Sequence, residues 1–73
     1  MIVINSALKQ DEIKALLTNY AQDGVTFTFN KKAGIKQFFE TSMPDKDAAA
    51  ALAKQLIKGT PWGGAIFFSA VVE

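Results

Sequence analysis

The clearest alternation of apolar and polar residues lies in the stretch GVTFTFN, residues 24 to 30. Val25, Phe27 and Phe29 fall on one side of an extended chain, and threonines and an asparagine fall on the other. Valine, phenylalanine and threonine also favour extended structure. The pattern predicts a strand with an apolar side on the core and a polar side away from it.

Two segments instead repeat apolar residues at spacings of three and four, which indicates amphipathic helices. In residues 6–24 the repeat runs through Ile13, Leu16, Leu17, Tyr20 and Ala21, and we expect Gly24 to end this helix in a left-handed conformation. Residues 44–59 combine four consecutive alanines with larger apolar residues. Here Pro44 suits the first turn of the second helix.

The remaining segments are extended. Residues 1–5 (MIVIN) predict a first strand. Residues 31–43 contain IKQFFE, which fits strand parity but also brings Ile35, Phe38 and Phe39 together at helical spacing. We favour a strand, because a hairpin with residues 24–30 gives it an immediate partner, and helix is the alternative. A last strand covers residues 65–72.

The resulting order, β-α-β-β-α-β, resembles the split βαβ arrangement of the ferredoxin-like fold across the whole chain. Right-handed crossovers predict one α+β domain over residues 1–73, with an antiparallel sheet in the order 4-1-3-2 and both helices on one face. The resemblance is one of architecture and not of any motif. Because many unrelated functions share this fold, it implies no particular activity.

The closing strand, AIFFSAVV, is apolar at seven of its eight positions, so both of its sides are apolar. If Ile66, Phe68, Ala70 and Val72 face the helices, the other parity faces the open side of the sheet, although the opposite assignment remains open. We expect a partner-binding surface there, since an apolar patch with a polar border usually marks an interaction site. Its predicted members are Val3, Phe38, Ala65, Phe67, Ser69 and Val71, with Trp62 of the WGG sequence as a further anchor. The leading hypothesis is therefore a protein-interaction or assembly module, most simply a homodimer.

The charged residues offer a second hypothesis. The chain has a net charge of +1, with eight lysines and no arginine, whereas nucleic-acid binding usually relies on a basic excess and on arginine. Lys31, Lys32, Lys36 and Phe38 could nevertheless contact RNA or single-stranded DNA as in RNA-recognition motifs, which share the fold and stack bases on sheet aromatics. The first strand has no aromatic residue, and only the Phe pair with nearby lysines is similar to the motif's third strand.

Other functions are disfavoured by composition. With no cysteine and no histidine, the chain lacks the usual ligands of zinc and iron and the usual general base, so we expect no metal, no cofactor and no catalysis. The acidic residues fall mostly near predicted helix starts, where the helix dipole accounts for them. A small-molecule regulatory domain, with its site at a dimer interface, is a third hypothesis.

The chain shows no sign of membrane insertion. Its N-terminal residues lack the charged start and long apolar stretch of a signal peptide, and no apolar run approaches the length of a membrane span. We therefore expect a cytoplasmic protein with no membrane partner.

Overall fold

A computed structural model describes residues 1–73 as an antiparallel sheet with two helices, an α+β arrangement. The elements in chain order are β1 (Ile2–Asn5), α1 (Gln10–Thr18), β2 (Ala21–Gln22), β3 (Val25–Ala33), β4 (Lys36–Thr41), α2 (Lys46–Lys58), a 3₁₀ turn (Gly63–Ala65) and β5 (Ser69–Val72). The antiparallel α+β class predicted from the sequence is confirmed.

The sheet has five strands in the order β2-β3-β4-β1-β5, and every neighbouring pair is antiparallel. It therefore differs from the four-stranded sheet of order 4-1-3-2 that we expected. The added strand is β2, only two residues long, which pairs with Val25 and Thr26 at the start of β3. The predicted hairpin is present, because all of β4 pairs with β3, with a bulge between Phe29 and Lys31. Its bounds differ from the prediction, since residues 31–33 belong to β3 and not to the second strand.

The first helix is shorter than predicted. It ends at Thr18 rather than at Gly24, and the chain then turns back through Asp23 (φ 54°) and Gly24 (φ 75°) to join β2 to β3. Two successive residues with positive φ form the kind of tight turn that joins twisted antiparallel strands, and Asp-Gly is a preferred sequence for it. Gly24 therefore closes a hairpin and does not end a helix.

The second helix begins two residues later than Pro44. Its N-terminal cap is Asp45, whose Oδ1 accepts a hydrogen bond from the backbone N–H of Ala48 at 3.1 Å. Pro44 precedes the cap and lies outside the first turn. Lys58 is the last helical residue, where a positive charge is favourable next to the exposed carbonyl groups.

One core lies between the sheet and the helices. Ile2 and Ile4 of β1, with Phe39 of β4, are fully or almost fully buried against α1 and α2. On α2 the core contacts are Ala49, Ala50, Ala53 and Ile57, and three of these four are alanines. Small side chains at these three positions allow the helix to lie close to the sheet, whereas Ala51 of the alanine run is exposed.

The C-terminal strand is also shorter than predicted. Only Ser69–Val72 pair with β1, whereas Gly63–Ala65 form a 3₁₀ turn and residues 66–68 lead into the strand without pairing. Its register nevertheless places Ala70 beside Ile4 and Val72 beside Ile2, so both lie on the helix-facing side. Neither helix of the protein is long and apolar enough to cross a membrane.

Candidate functional site

The side of the sheet away from the helices carries one parity from each strand, because successive strand residues point to opposite faces. The register sets Val3 between Phe38 of β4 and Val71 of β5, and it sets Asn5 between Lys36 and Ser69. We call this side the open face. It brings together Val3, Phe38, Ser69 and Val71, four of the residues that we expected to contact a partner.

Two of these four are already covered by the protein itself. Val3 is fully buried, and Phe38 is 8% exposed, although no helix lies over them. The side chains of Phe38 and Val71 flank Val3 on the neighbouring strands. The ring of Phe38 lies under Lys31, whose Nζ is 4.9 Å from the ring centroid. These two residues therefore offer little surface to a partner.

The exposed apolar surface lies instead along β5 and the segment before it. Phe67 is 99% exposed, and Val71 is 43% exposed. Ala65 and Ser69 are also exposed, and the Ser69 hydroxyl accepts a hydrogen bond from the Asn5 side-chain amide at 3.0 Å. Phe68 and Ile66, by contrast, are partly buried against the core.

The lysines considered for nucleic-acid binding do not share one face. Lys31 and Lys36 lie on the open face, whereas Lys32 pairs with Gln37 on the helix-facing side. The one aromatic ring beside them, Phe38, is buried under Lys31 and is not available to stack on a base. This arrangement lacks the exposed aromatic platform that sequence-tolerant single-strand binding uses.

The outer edge of β5 has no neighbour, because β5 is the last strand of the sheet and pairs only with β1. It carries the sequence SAVV, with no charged residue and no proline. Val71 and Val72 are both more than 40% exposed. An uncharged, exposed edge of this kind is a template for pairing with another strand.

Trp62 lies apart from the open face. It is partly buried against the core and forms one wall of an open groove of about 620 Å³ that runs along α1. The aromatic ring of Tyr20 and the side chain of Leu16 also line the groove, and Glu12 supplies its one charged group. Glu12 is itself 3.9 Å from Lys9, so its charge is partly neutralised.

Two exposed apolar residues were not predicted from the sequence as surface features. Leu8 is 61% exposed and Ile35 is 51% exposed, each in a connection between elements. Isolated apolar residues in short connections produce no periodic signal, so only their position in the fold draws attention to them. Tyr20 and Leu16 were predicted only as helix residues, and their place in the groove follows from the path of residues 60–62.

No group of three or more acidic side chains comes close enough together to hold a metal ion. No family model matches the chain, and no curated protein or solved structure is significantly similar to it.

Proposed function

We propose that this protein is a non-catalytic interaction module that forms a homodimer through the outer edge of β5, with Val71 at the centre of the contact. The observation that carries the proposal is the uncharged, exposed edge of Ser69–Val72. Edge strands present a row of backbone donors and acceptors, and proteins that do not use them usually protect them with charge, proline or a bulge.

The pairing of β1 with β5 identifies which backbone groups are free. Met1 and Glu73 exchange both possible hydrogen bonds, at 2.7 and 2.8 Å, so they form a hydrogen-bonded pair. In antiparallel strands such pairs alternate with pairs whose N–H and C=O groups point away from each other. The backbone groups of Ala70 and Val72 therefore point outward from β1. No turn, loop or cap hydrogen bond reaches either residue.

A two-fold axis through Val71 matches these groups to one another. In that register Ala70 of each protomer pairs with the partner's Val72. The outward-pointing backbone N–H and C=O groups of both residues then form hydrogen bonds across the interface. The two Val71 side chains then lie opposite each other on the open face as a non-hydrogen-bonded pair, the closer of the two kinds of pair. The sheet would become continuous across the dimer.

The other edge of the sheet is protected. Beyond the short stretch paired with β2, the outer edge of β3 contains the bulge after Phe29 and two consecutive lysines, Lys31 and Lys32. Both features discourage pairing with a further strand. The contrast between the two edges supports self-association at β5 and not at β3.

We also infer that the fold is a ferredoxin-like domain with one added edge strand. The support is the sequence of the four longer strands across the sheet, β5-β1-β4-β3, which reads 4-1-3-2 when these four are numbered among themselves. Strand β2 is then an extension of the β3 edge, made possible by the Asp23–Gly24 turn.

The register can be tested with a single engineered cysteine, because the chain contains none. We expect Val71→Cys to form a disulfide-linked dimer readily under mild oxidation, since non-hydrogen-bonded pairs hold their Cα atoms about 4.5 Å apart, within the range that a disulfide spans. Non-reducing electrophoresis measures the linked fraction, and light scattering measures the mass of the wild type.

Ser69→Cys is the matched control. It lies on the same strand and the same face, but in the proposed register it is opposite the partner's Glu73, so it should cross-link slowly. Faster linkage of Ser69→Cys than of Val71→Cys would contradict the register. A wild type that remains monomeric at high micromolar concentration would contradict the homodimer.

A further inference from the structure

Three of the most exposed apolar side chains lie in three different connections. Leu8 belongs to the β1–α1 connection, Ile35 to the β3–β4 turn, and Phe67 to the segment before β5. Their side chains are 61%, 51% and 99% exposed, respectively. The almost completely exposed Phe67 ring buries none of its apolar area in the protein's own core, so that area is available to a binding partner.

These connections lie at the same end of the molecule. The backbone N–H of Ser6 donates a hydrogen bond to the carbonyl of Ile35 at 3.0 Å, which joins the β1–α1 connection to the β3–β4 turn. The first residue of β5, Ser69, lies beside Asn5, the last residue of β1. The segment containing Phe67 therefore emerges at this end as well.

Lysines concentrate at this end. Lys9 lies in the first connection, Lys32 and Lys36 flank the β3–β4 turn, Lys31 precedes them, and Lys58 ends α2. The acidic residues here are Asp11 and Glu12 in the first turn of α1, which leaves a local charge of +3. We call this region, with Leu8, Ile35 and Phe67, the lysine-rich end.

The opposite end of the sheet has the reverse charge. Asp23, Glu40, Asp45, Asp47 and Glu73 lie in the turns and element ends there, with Lys46 as the one lysine. The chain is therefore nearly neutral in total but polarised along the strands. Such a molecule would be oriented by a strongly charged surface.

We propose that the lysine-rich end binds the surface of an anionic lipid bilayer, with Phe67, Leu8 and Ile35 inserted among the lipid headgroups. The lysine ammonium groups supply attraction to anionic headgroups, which is worth about fivefold in affinity per lysine near the surface. The three apolar side chains supply area that is removed from water on insertion. No membrane-spanning segment is needed, so the short helices and short apolar runs are compatible with this mode of binding.

A bilayer fits this surface better than a folded protein or RNA does. The apolar side chains protrude from separate connections and do not line a groove, since the one large groove lies along α1 beside Trp62. Nucleic-acid recognition favours arginine and several stacking aromatic rings, whereas this end has no arginine and one exposed aromatic ring, that of Phe67. Protruding apolar side chains surrounded by flexible lysines match a layer that is apolar below and anionic above.

Lipid binding goes beyond dimer formation and does not depend on it. In the proposed dimer Phe67 lies outside the contact, because it precedes β5 and belongs to no paired strand. A Val71→Lys variant, which should be monomeric, is expected to keep its lipid binding. The two proposals can therefore fail separately.

Sedimentation with vesicles tests the proposal. We expect the protein to sediment with vesicles of phosphatidylcholine that contain about one third phosphatidylserine, and not with phosphatidylcholine alone. Raising the salt from about 0.1 M to about 1 M should release it, because the screening length falls to about 3 Å. Phe67→Ser should weaken binding about tenfold or more, since it removes the largest inserted side chain.

Two matched controls accompany these measurements. In the Val71→Lys background, where self-association should not contribute, Val72→Ser removes an exposed apolar side chain at the opposite end and should leave vesicle binding unchanged. Lys36→Gln should weaken vesicle binding several-fold more than Lys54→Gln, which lies midway along α2. Absence of binding to anionic vesicles, equal binding to neutral vesicles, or equal binding by Phe67→Ser would each overturn the proposal. The protein could instead bind a single-stranded oligonucleotide and no vesicles, with Phe67→Ser abolishing the oligonucleotide binding. That result would assign this end to nucleic acid.

Discussion

Gly63 occupies a position where no side chain fits. A Cβ atom there would overlap the carbonyl oxygen of Ile57 and lie 2.8 Å from the hydroxyl oxygen of Thr60. The obstacle is backbone at the end of α2, which cannot move without disturbing the helix. Close approach of two backbone segments is thus what requires glycine at this position.

We therefore expect Gly63→Ala to lower the free energy of unfolding by about 1–3 kcal/mol or more, which is the usual effect of adding atoms to a site that has no room for them. Gly64→Ala is the control, because a Cβ at Gly64 would have no atom within 4 Å, and its effect should stay within about 0.5 kcal/mol. Urea denaturation followed by circular dichroism measures both. Equal stability of the two variants would show that residues 59–64 do not pack as described.

Lysine side chains decide how much of the sheet is exposed. The Lys31 ammonium lies 4.9 Å from the ring centroid of Phe38, and the Lys14 ammonium lies 4.2 Å from that of Phe29. A lysine can cover an apolar surface with its stem while its charge stays in water. A binary apolar–polar pattern treats lysine as solvent-facing, so the predicted partner surface included Phe38, which its own chain already covers.

At the scale of elements, the two helices begin in different ways. Helix α2 has a side-chain cap, Asp45, whereas α1 is preceded by Lys9 in a left-handed conformation (φ 58°) with no capping side chain. Capping by aspartate satisfies one of the backbone N–H groups that a helix start leaves unpaired. The start of α1 is held instead by Gln10, whose side chain donates to the carbonyl of Ser6 at 2.8 Å.

The Asp45 cap should make a measurable contribution to stability. We expect Asp45→Ala to lower the free energy of unfolding by about 1 kcal/mol. Asp45→Asn keeps a side-chain oxygen that can accept the Ala48 N–H, and should be close to the wild type. Chemical denaturation of the three proteins separates loss of the cap from loss of the charge. A similar loss in Asp45→Asn would assign the effect to charge and not to the hydrogen bond.

The sequence predicts the type of most elements but not all of their limits. Strand β3 follows from alternation, its hairpin partner follows from having β3 as an immediate neighbour, and α2 follows from its apolar spacing. The end of α1 does not, because Tyr20 and Ala21 continue the helical spacing while the chain has already turned toward β2. The Asp23–Gly24 pair is a hairpin signal, yet the same glycine also suits the end of a helix.

The separation of charge between the two ends of the molecule could not be predicted from composition. Lys9, Lys36 and Lys58 are far apart in sequence, and the direction of each element determines that they come together. The same holds for the β5 edge, since its uncharged sequence becomes significant only because β5 ends the sheet. Sequence patterns describe one element at a time, whereas both proposed sites arise from the arrangement of several.

Two phenylalanines allow a last test of the whole fold, because they occupy opposite extremes of burial. Phe39 is fully buried at the centre of the core, whereas Phe67 is 99% exposed. A chain of this length has a total stability of about 4–11 kcal/mol. Phe39→Ala should cost about 3–5 kcal/mol, a large part of that total.

The same substitution at Phe67 should change the stability of the folded chain by no more than about 0.5 kcal/mol, since no intramolecular contact is lost. Thermal unfolding by circular dichroism compares the two variants, and it is best done in the Val71→Lys background, where self-association should not contribute. If Phe67→Ala is destabilised as much as Phe39→Ala in that background, Phe67 is buried in the folded monomer. The lysine-rich end would then lack its principal apolar side chain, and the assignment of that end to a lipid surface would have to be abandoned.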